Sequence, residues 1–286
     1  QKHTLARTTA AVPWDPPQSG LRCDGCRGAI KPGEQIYSCV PCDFDACAGC
    51  GGTERDGGCT AVCEVVVLPG DWGEVTLELT RRYGTLFASL NMANAYGPGG
   101  GYTHGMVAQE ENMFRRTDCH FSLRREDIDG DDEEYVPSIT TLLNAEEGRV
   151  YLDVARPRVC IRGPEEREQS DLGYRWLGDD EVFPFYELRS AAVDLRGGGA
   201  FSRAETRKRV AAQLDTLIEQ GVRHVVLSAF GCGAFRNPAD EVAAVYRQEL
   251  QKRSTKFDVV GFGIFHAGYG PDNFAPFARA FADWPK

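Results

Sequence analysis

The sequence predicts an α/β domain carried behind a small cysteine-dense module. Three observations lead there. Eight of the eleven cysteines fall between Cys23 and Cys63, while the rest of the chain holds only Cys119, Cys160 and Cys232. Beyond Cys63, apolar runs of strand length alternate with helical stretches, the order expected of a sheet with crossover helices. Two glycine-rich loops, 97–101 and 231–233, each follow a strand-like run and precede a helix. The boundaries that result are an N-terminal extension over 1–20, the cysteine module over 21–63 and the α/β domain over 64–286.

With 286 residues, 42% apolar and 26% charged, the chain has enough apolar material for a buried core. It contains no run of eighteen apolar residues, so no membrane partner is expected. The opening Gln1-Lys2-His3-Thr4 lacks an apolar signal core, and together with the cysteine usage this suggests an intracellular protein of the nucleus and/or cytoplasm. The formal net charge of -10 repels nucleic acid at long range, so direct nucleic-acid binding is not expected. A polyanionic substrate would have to be gripped locally, by backbone N–H groups. The densest acidic stretch, Asp127 to Glu134, reads as a solvated loop.

The cysteine module contains Cys23-x2-Cys26, Cys39-x2-Cys42 and Cys47-x2-Cys50, followed by Cys59-x3-Cys63. A C-x-x-C knuckle lets two thiolates reach one tetrahedral ion, and two knuckles close a structural zinc site. About forty residues cannot bury enough apolar surface to fold unaided, which also favours a metal. LRCDGC followed by IYSCVPCDFDACAGC resembles a ZZ-type zinc finger. The resemblance implies a cross-brace, with Cys23, Cys26, Cys47 and Cys50 on one ion and Cys39 and Cys42 on a second. That family closes its second ion with two histidines, but here no histidine follows Cys50 until His104. Cys59 and Cys63 are taken as the replacements, giving two structural zinc ions. Four thiolates leave no open position for water, so neither ion is expected to be catalytic. Such fingers resemble modules that dock protein tails, and a protein tail is the partner expected here.

In the α/β domain, Glu64–Leu68 and Val75–Leu79 read as short strand-like runs and Thr85–Met92 as a buried strand. A glycine loop follows, then a helix from about Ala108 to Arg125. That order brings backbone N–H groups close to where phosphates or ribose oxygens can sit. Gly99-Gly100-Gly101, seven residues and Gln109-Glu110-Glu111, continuing through Phe114-Arg115-Arg116-Thr117-Asp118, resemble the signature of poly(ADP-ribose) glycohydrolases, microbial branch. The similarity extends from about residue 64 to the end. It implies a macrodomain-like mixed sheet sandwiched by helices, acting on poly(ADP-ribose) or ADP-ribosylated protein.

Adjacent helical residues point about 100° apart, so Glu110 and Glu111 cannot flank one glycosidic bond as an opposed pair. The resemblance assigns proton transfer to Glu111, as general acid and then base, with no metal needed for the chemistry. Acid duty near neutral pH calls for a carboxyl held above its ordinary range. Glu110 and Asn94 are read as holding ribose hydroxyls, and Gln109, Gly99, Gly100 and Gly101 as further ligand contacts. Microbial relatives usually have Asn-Pro-Gly-Gly-Gly where this chain has Gly97-Pro98, so Asn94, or Asn91 at the strand end, compensates.

Val222–Phe230 reads as a buried parallel strand and Pro238 to about Lys252 as a helix capped by Asn237. Between them, Gly231, Cys232, Gly233, Ala234 and Phe235 resemble the macrodomain diphosphate loop, whose aromatic packs on the distal ribose. Arg236 stands where that loop frequently has glycine. Cys232 has no accompanying histidine and is read as a small loop residue. Gly197–Gly199 reads as a flexible connection, and Phe265 and Phe274 as core or adenine-pocket residues. Two other functions fit the same motif: a mono-ADP-ribosyl hydrolase acting on protein or nucleobase, and a non-catalytic ADP-ribose reader. A reader has no need of the buried acid that Gln109-Glu110-Glu111 supplies.

Overall fold

A computed structural model of the chain describes residues 62–130, 133–166, 173–266, 268 and 270–285, and the backbone of three short strands before them. The chain divides into two units, Gln1–Cys63 and Glu64–Lys286. In the first, β1 (Ala6–Thr9), β2 (Gln35–Cys39) and β3 (Phe44–Cys47) form a three-stranded antiparallel sheet in the order β1-β2-β3. The expected zinc ligands Cys23, Cys26, Cys42, Cys50 and Cys59 lie outside the described residues. Cys39 ends β2 and Cys47 ends β3, and Cys63 is buried just before the second unit.

The second unit begins with β4 (Glu64–Pro69), α1 (Trp72–Tyr83), β5 (Ala88–Ala93) and α2 (Gln109–Arg116). The short pair β6 (Ile128–Asp129) and β7 (Glu134–Tyr135) leads to α3 (Pro137–Leu143), then β8 (Tyr151–Leu152) and β9 (Arg158–Cys160). A hairpin of β10 (Arg162–Glu166) and β11 (Gly173–Trp176) precedes β12 (Phe183–Ala191). The chain closes with α4 (Arg203–Glu219), β13 (His224–Leu227), α5 (Ala239–Gln251), β14 (Val259–Ile264) and α6 (Phe274–Phe281). The main sheet has seven strands in the order β4-β14-β13-β5-β12-β8, with β9 also on β12. Neighbours from β4 through β12 are parallel, while β8 and β9 run antiparallel to β12.

Residue parity along the strands distributes the helices. On β14, Gly261 and Gly263 face α1, where an added Cβ would lie 2.4 Å from Leu79 and 3.1 Å from Val75. The missing side chains let α1 close onto the sheet. Phe262 points the other way, meeting Tyr246 of α5 edge-on, Phe277 of α6 at a tilt and Phe281 of α6 in a stack. The sheet is therefore covered on both faces, as parallel strands require. Among the described residues, no helix is long and apolar enough to cross a membrane.

Three expectations need correction. Val75–Leu79 is not a strand but the middle of α1: Val75 and Leu79 are one turn apart on its buried face, and the helix starts at a capping box. Asp71 accepts from the Gly73 and Glu74 N–H groups at 2.6 and 3.2 Å, and Glu74 accepts from the Asp71 N–H. The helix expected to reach Arg125 stops at Arg116, because Thr117 is extended (φ -132, ψ 177) and bridges to Cys160. Asn237 does not cap α5, which starts at Ala239 after Pro238. Its side-chain amide instead donates to the carbonyls of Val193 and Gly231.

Asp71 also receives the Arg116 guanidinium at 2.7 Å, both residues being buried, and Arg116 lies over the Trp72 ring at 4.9 Å. Removing one partner of a buried ion pair leaves the other charge uncompensated. Asp71→Ala is expected to destabilise the domain by about 3–5 kcal/mol, and Asp71→Asn, which keeps the cap oxygen, by less. Urea denaturation measures both; a loss below about 1 kcal/mol for the alanine variant would be within an ordinary cap effect and would remove the ion pair from this role.

Candidate active site

Three adjacent parallel strands, β12, β5 and β13, end at the same edge of the sheet, so the loops after them converge there. In open parallel sheets, that edge is where ligands bind. The loop after β5 is held by three consecutive side chains at the start of α2. Gln109 bonds to the strand itself, its Nε2 donating to the Leu90 carbonyl at 2.7 Å and its Oε1 accepting from the Met92 N–H at 2.9 Å. Glu110 accepts from the N–H groups of Asn94 at 2.7 Å and Gly99 at 3.2 Å. Glu111 accepts from Gly101 at 3.1 Å and from Ala108 at 3.2 Å.

Gly100 lies directly on both carboxylates. Its φ is +57°, and a Cβ there would sit 2.5 Å from Glu111 Oε1 and 3.1 Å from Glu110 Oε2. Only glycine combines that backbone conformation with that approach. Asn94 turns its side-chain oxygen into its own loop, accepting from Tyr96 at 2.8 Å and Gly97 at 3.1 Å. Gly97 therefore contributes a donor to the loop where an asparagine side chain is usual. Asn91 is fully buried and donates to Glu187 Oε1 at 2.8 Å, which places it beneath the site rather than at its surface.

Beneath α2 lies an ion pair that the sequence reading did not single out. Glu187 and Arg189, at i and i+2 of β12, share one face of the sheet, and two hydrogen bonds of 2.8 Å join them. Arg189 also donates to Tyr135 Oη at 2.9 Å and Ser122 Oγ at 3.0 Å, and its guanidinium lies 4.7 Å from the Tyr151 ring centre. Two charges on one side of an apolar strand were the available signal. Despite burial, Arg189 and Asn91 hold the Glu187 carboxyl below the usual carboxylate range. Burial pushes the Glu110 carboxyl well above it; the Asn94 N–H opposes that rise and the Glu111 charge adds to it.

The loop after β13 is closed by its own backbone. Cys232 N–H donates to Ala229, Arg236 N–H to Gly233 and Asn237 N–H to Gly231. Among the described residues, no backbone acceptor takes the N–H groups of Gly233, Ala234 and Phe235. These three successive donors lie in a partly exposed turn before α5, a favourable arrangement for an anion. Arg236 adopts φ +61°, the left-handed backbone that explains why glycine is frequent at this point of such loops. The Cys232 thiol is buried and pushed up to about 12, so it is no nucleophile at neutral pH.

The loop after β12 brings Arg196 over the Phe235 ring, 5.0 Å from its centre, while Asp194 grips the same guanidinium at 2.6–3.0 Å. The Asp194 carboxylate, with a smaller contribution from the Glu111 charge, raises the Arg196 pKa. The run Gly197–Gly199 directly follows a residue of the candidate cleft. Phe265 is exposed beyond β14, and Phe274 opens α6.

Sheet, glycine loop and Gln-Glu-Glu helix together are similar to the catalytic domain of microbial-type poly(ADP-ribose) glycohydrolases (PARG). A family profile described as "Microbial-type PARG, catalytic domain" matches residues 51–135, a span that includes the first glycine loop and α2. Among solved structures, PARG from Thermomonospora curvata bound to the inhibitor ADP-HPD is 26% identical with a TM-score of 0.57, covering 77% of this chain and 79% of that one. A second structure of the T. curvata enzyme matches with the same identity and score over 80% of each chain. PARG from Deinococcus radiodurans in complex with ADP-ribose is 22% identical with a TM-score of 0.52, covering 76% of this chain and 84% of that one, a likeness of fold. No curated protein matches the sequence.

The raised Glu110 carboxyl has a consequence for stability. Its value in the folded chain exceeds the ordinary 4.5, so the folded state holds that proton more tightly than the unfolded chain does. The resulting stability is complete below pH 4.5 and is lost as pH rises through the folded value. Glu110→Gln removes this titration. The melting temperature of the wild type minus that of the variant should therefore shrink as pH rises from 4.5 towards neutrality; a constant difference would mean that Glu110 titrates normally.

Proposed function

We propose that the domain hydrolyses the ribose–ribose O-glycosidic bonds of poly(ADP-ribose), releasing ADP-ribose, with Glu111 as the proton-transferring residue. One observation carries the reading: Gly100 rides directly on the Glu111 carboxylate, within the span that matches the PARG profile. A sugar brought against the glycine backbone reaches that carboxylate with no side chain between them. The likeness to the T. curvata poly(ADP-ribose) glycohydrolase supports the choice of substrate.

The terminal ADP-ribose unit lies across the strand ends. Its diphosphate accepts from the Gly233, Ala234 and Phe235 N–H groups, and its distal ribose packs on Phe235. Glu111, held in one orientation by Gly101 and Ala108, protonates the ribose oxygen that leaves as an oxocarbenium-like centre develops. The same carboxylate then takes a proton from the water that attacks this centre, which restores the acid and completes hydrolysis. Glu110 keeps the loop in place through Asn94 and Gly99.

Glu111→Gln preserves shape but cannot transfer the proton. Polymer hydrolysis should fall by roughly 10²–10⁴-fold, while calorimetric affinity for ADP-ribose stays within a few-fold of wild type. A variant that keeps more than half of its turnover would end this assignment.

The cysteine module is proposed to hold two structural zinc ions and to dock a protein tail, separately from the chemistry. The donor set is all thiolate, suited to closed tetrahedral sites. Backbone register supports two ions. Cys47 pairs with Ile36, three residues before Cys39, so Cys39 and Cys47 stand about 10 Å apart along the strands, too far for neighbouring ligands of one ion. Elemental analysis should find two zinc ions per chain, falling to one when Cys59 and Cys63 are both replaced by serine. A single zinc in the wild type would dismiss the second site.

A further inference from the structure

A cavity of about 680 Å³ opens beside the loop–helix site, bounded by Tyr102, Arg115, Arg162, Tyr174 and Trp176. It shares no lining residue with the loops after β12 and β13. Its lining carries Arg115, Arg162 and Arg175 against Glu166, in a chain whose formal net charge is -10. Arg175 is engaged by Glu181 at 2.8 and 2.7 Å, which leaves Arg115 and Arg162 as the cations for a ligand. Arg162 lies over Trp176, its guanidinium carbon 4.1 Å from the ring centre, and the indole is 65% exposed. Arg115 donates to the Tyr102 carbonyl through Nε and Nη2, at 3.1 and 2.5 Å. Its Nη1 and the Tyr174 hydroxyl are buried with no hydrogen-bond partner among the described residues. Buried polar groups are rarely left so.

Guanidinium donors, a phenol without a partner and a guanidinium–indole contact are chemistry for phosphate oxygens and a flat base. The place of the cavity narrows the ligand. Arg115 stands four residues after Glu111 on α2, about 6 Å along the helix axis. Tyr102, whose carbonyl Arg115 holds, directly follows Gly101, whose N–H meets Glu111. A ligand here therefore begins about one helical turn from the reacting carboxylate, away from the diphosphate loop.

We propose that this cavity binds the neighbouring ADP-ribose unit of the polymer, on the leaving-group side of the bond cleaved at Glu111. The inference rests on the polymer hydrolysis proposed above. The diphosphate of that unit meets Arg115 and Arg162, and its adenine stacks at Trp176. Bond cleavage then releases a chain still held at this second subsite.

The test uses the full chain with Arg162→Ala and Trp176→Ala, singly and together, on long polymer and on ADP-ribose joined to a nitrophenyl leaving group. For polymer, the double variant should raise KM by about 10-fold, the order of one lost stacking contact, with kcat within about twofold. Hydrolysis of the nitrophenyl substrate and calorimetric affinity for free ADP-ribose should not change. An unchanged polymer KM, or an equal loss on both substrates, overturns the second subsite and leaves the glycohydrolase reading standing. A wild-type protein that cleaves no polymer overturns both.

Discussion

Two carboxylates buried under a glycine loop need donors, and the loop's backbone N–H groups need acceptors. This mutual demand organises the candidate active site. Glu110 takes the Asn94 and Gly99 N–H groups, and Glu111 takes those of Gly101 and Ala108. A chain reversal that would otherwise leave four amides without a protein partner becomes a rigid cradle, because an unsatisfied buried polar group costs more than a made bond gains. Gln109 extends the scheme to the sheet by taking Leu90 and Met92. The three side chains thus set strand, loop and helix in one geometry.

Below that cradle the sheet carries its own charges. Glu187 and Arg189 are buried, yet Asn91, Tyr135 and Ser122 take up hydrogen-bonding positions around them. Without those partners the desolvation of two ions would exceed their attraction. The pair acts on Glu110 with both signs, Arg189 lowering and Glu187 raising its pKa. Burial is thus left as the largest influence on the carboxyl next to the proposed acid.

How much of this could be read in advance depended on range along the chain. The glycine loop and the Gln-Glu-Glu helix lie ten residues apart, so spacing alone made the pair recognisable. Val75–Leu79 is apolar enough to pass for a strand, while the Asp71-x-x-Glu74 cap that marks the start of α1 sits just upstream. Nothing local stops α2 at Arg116; the stop is a bridge from Thr117 to Cys160, distant in sequence. Glu187, Arg189 and their partners come from β5, β12 and the segment around Ser122 and Tyr135. Their meeting is a property of strand order, which no window of sequence contains.

The cation held against Phe235 has a cost for any ligand that uses the same ring. Arg196 already occupies one approach to that aromatic face, tethered there by Asp194. A ribose that settles on Phe235 from that side must first displace an internal competitor, so the affinity observed is a difference between two contacts rather than the worth of one. The protein is in this sense its own weak inhibitor.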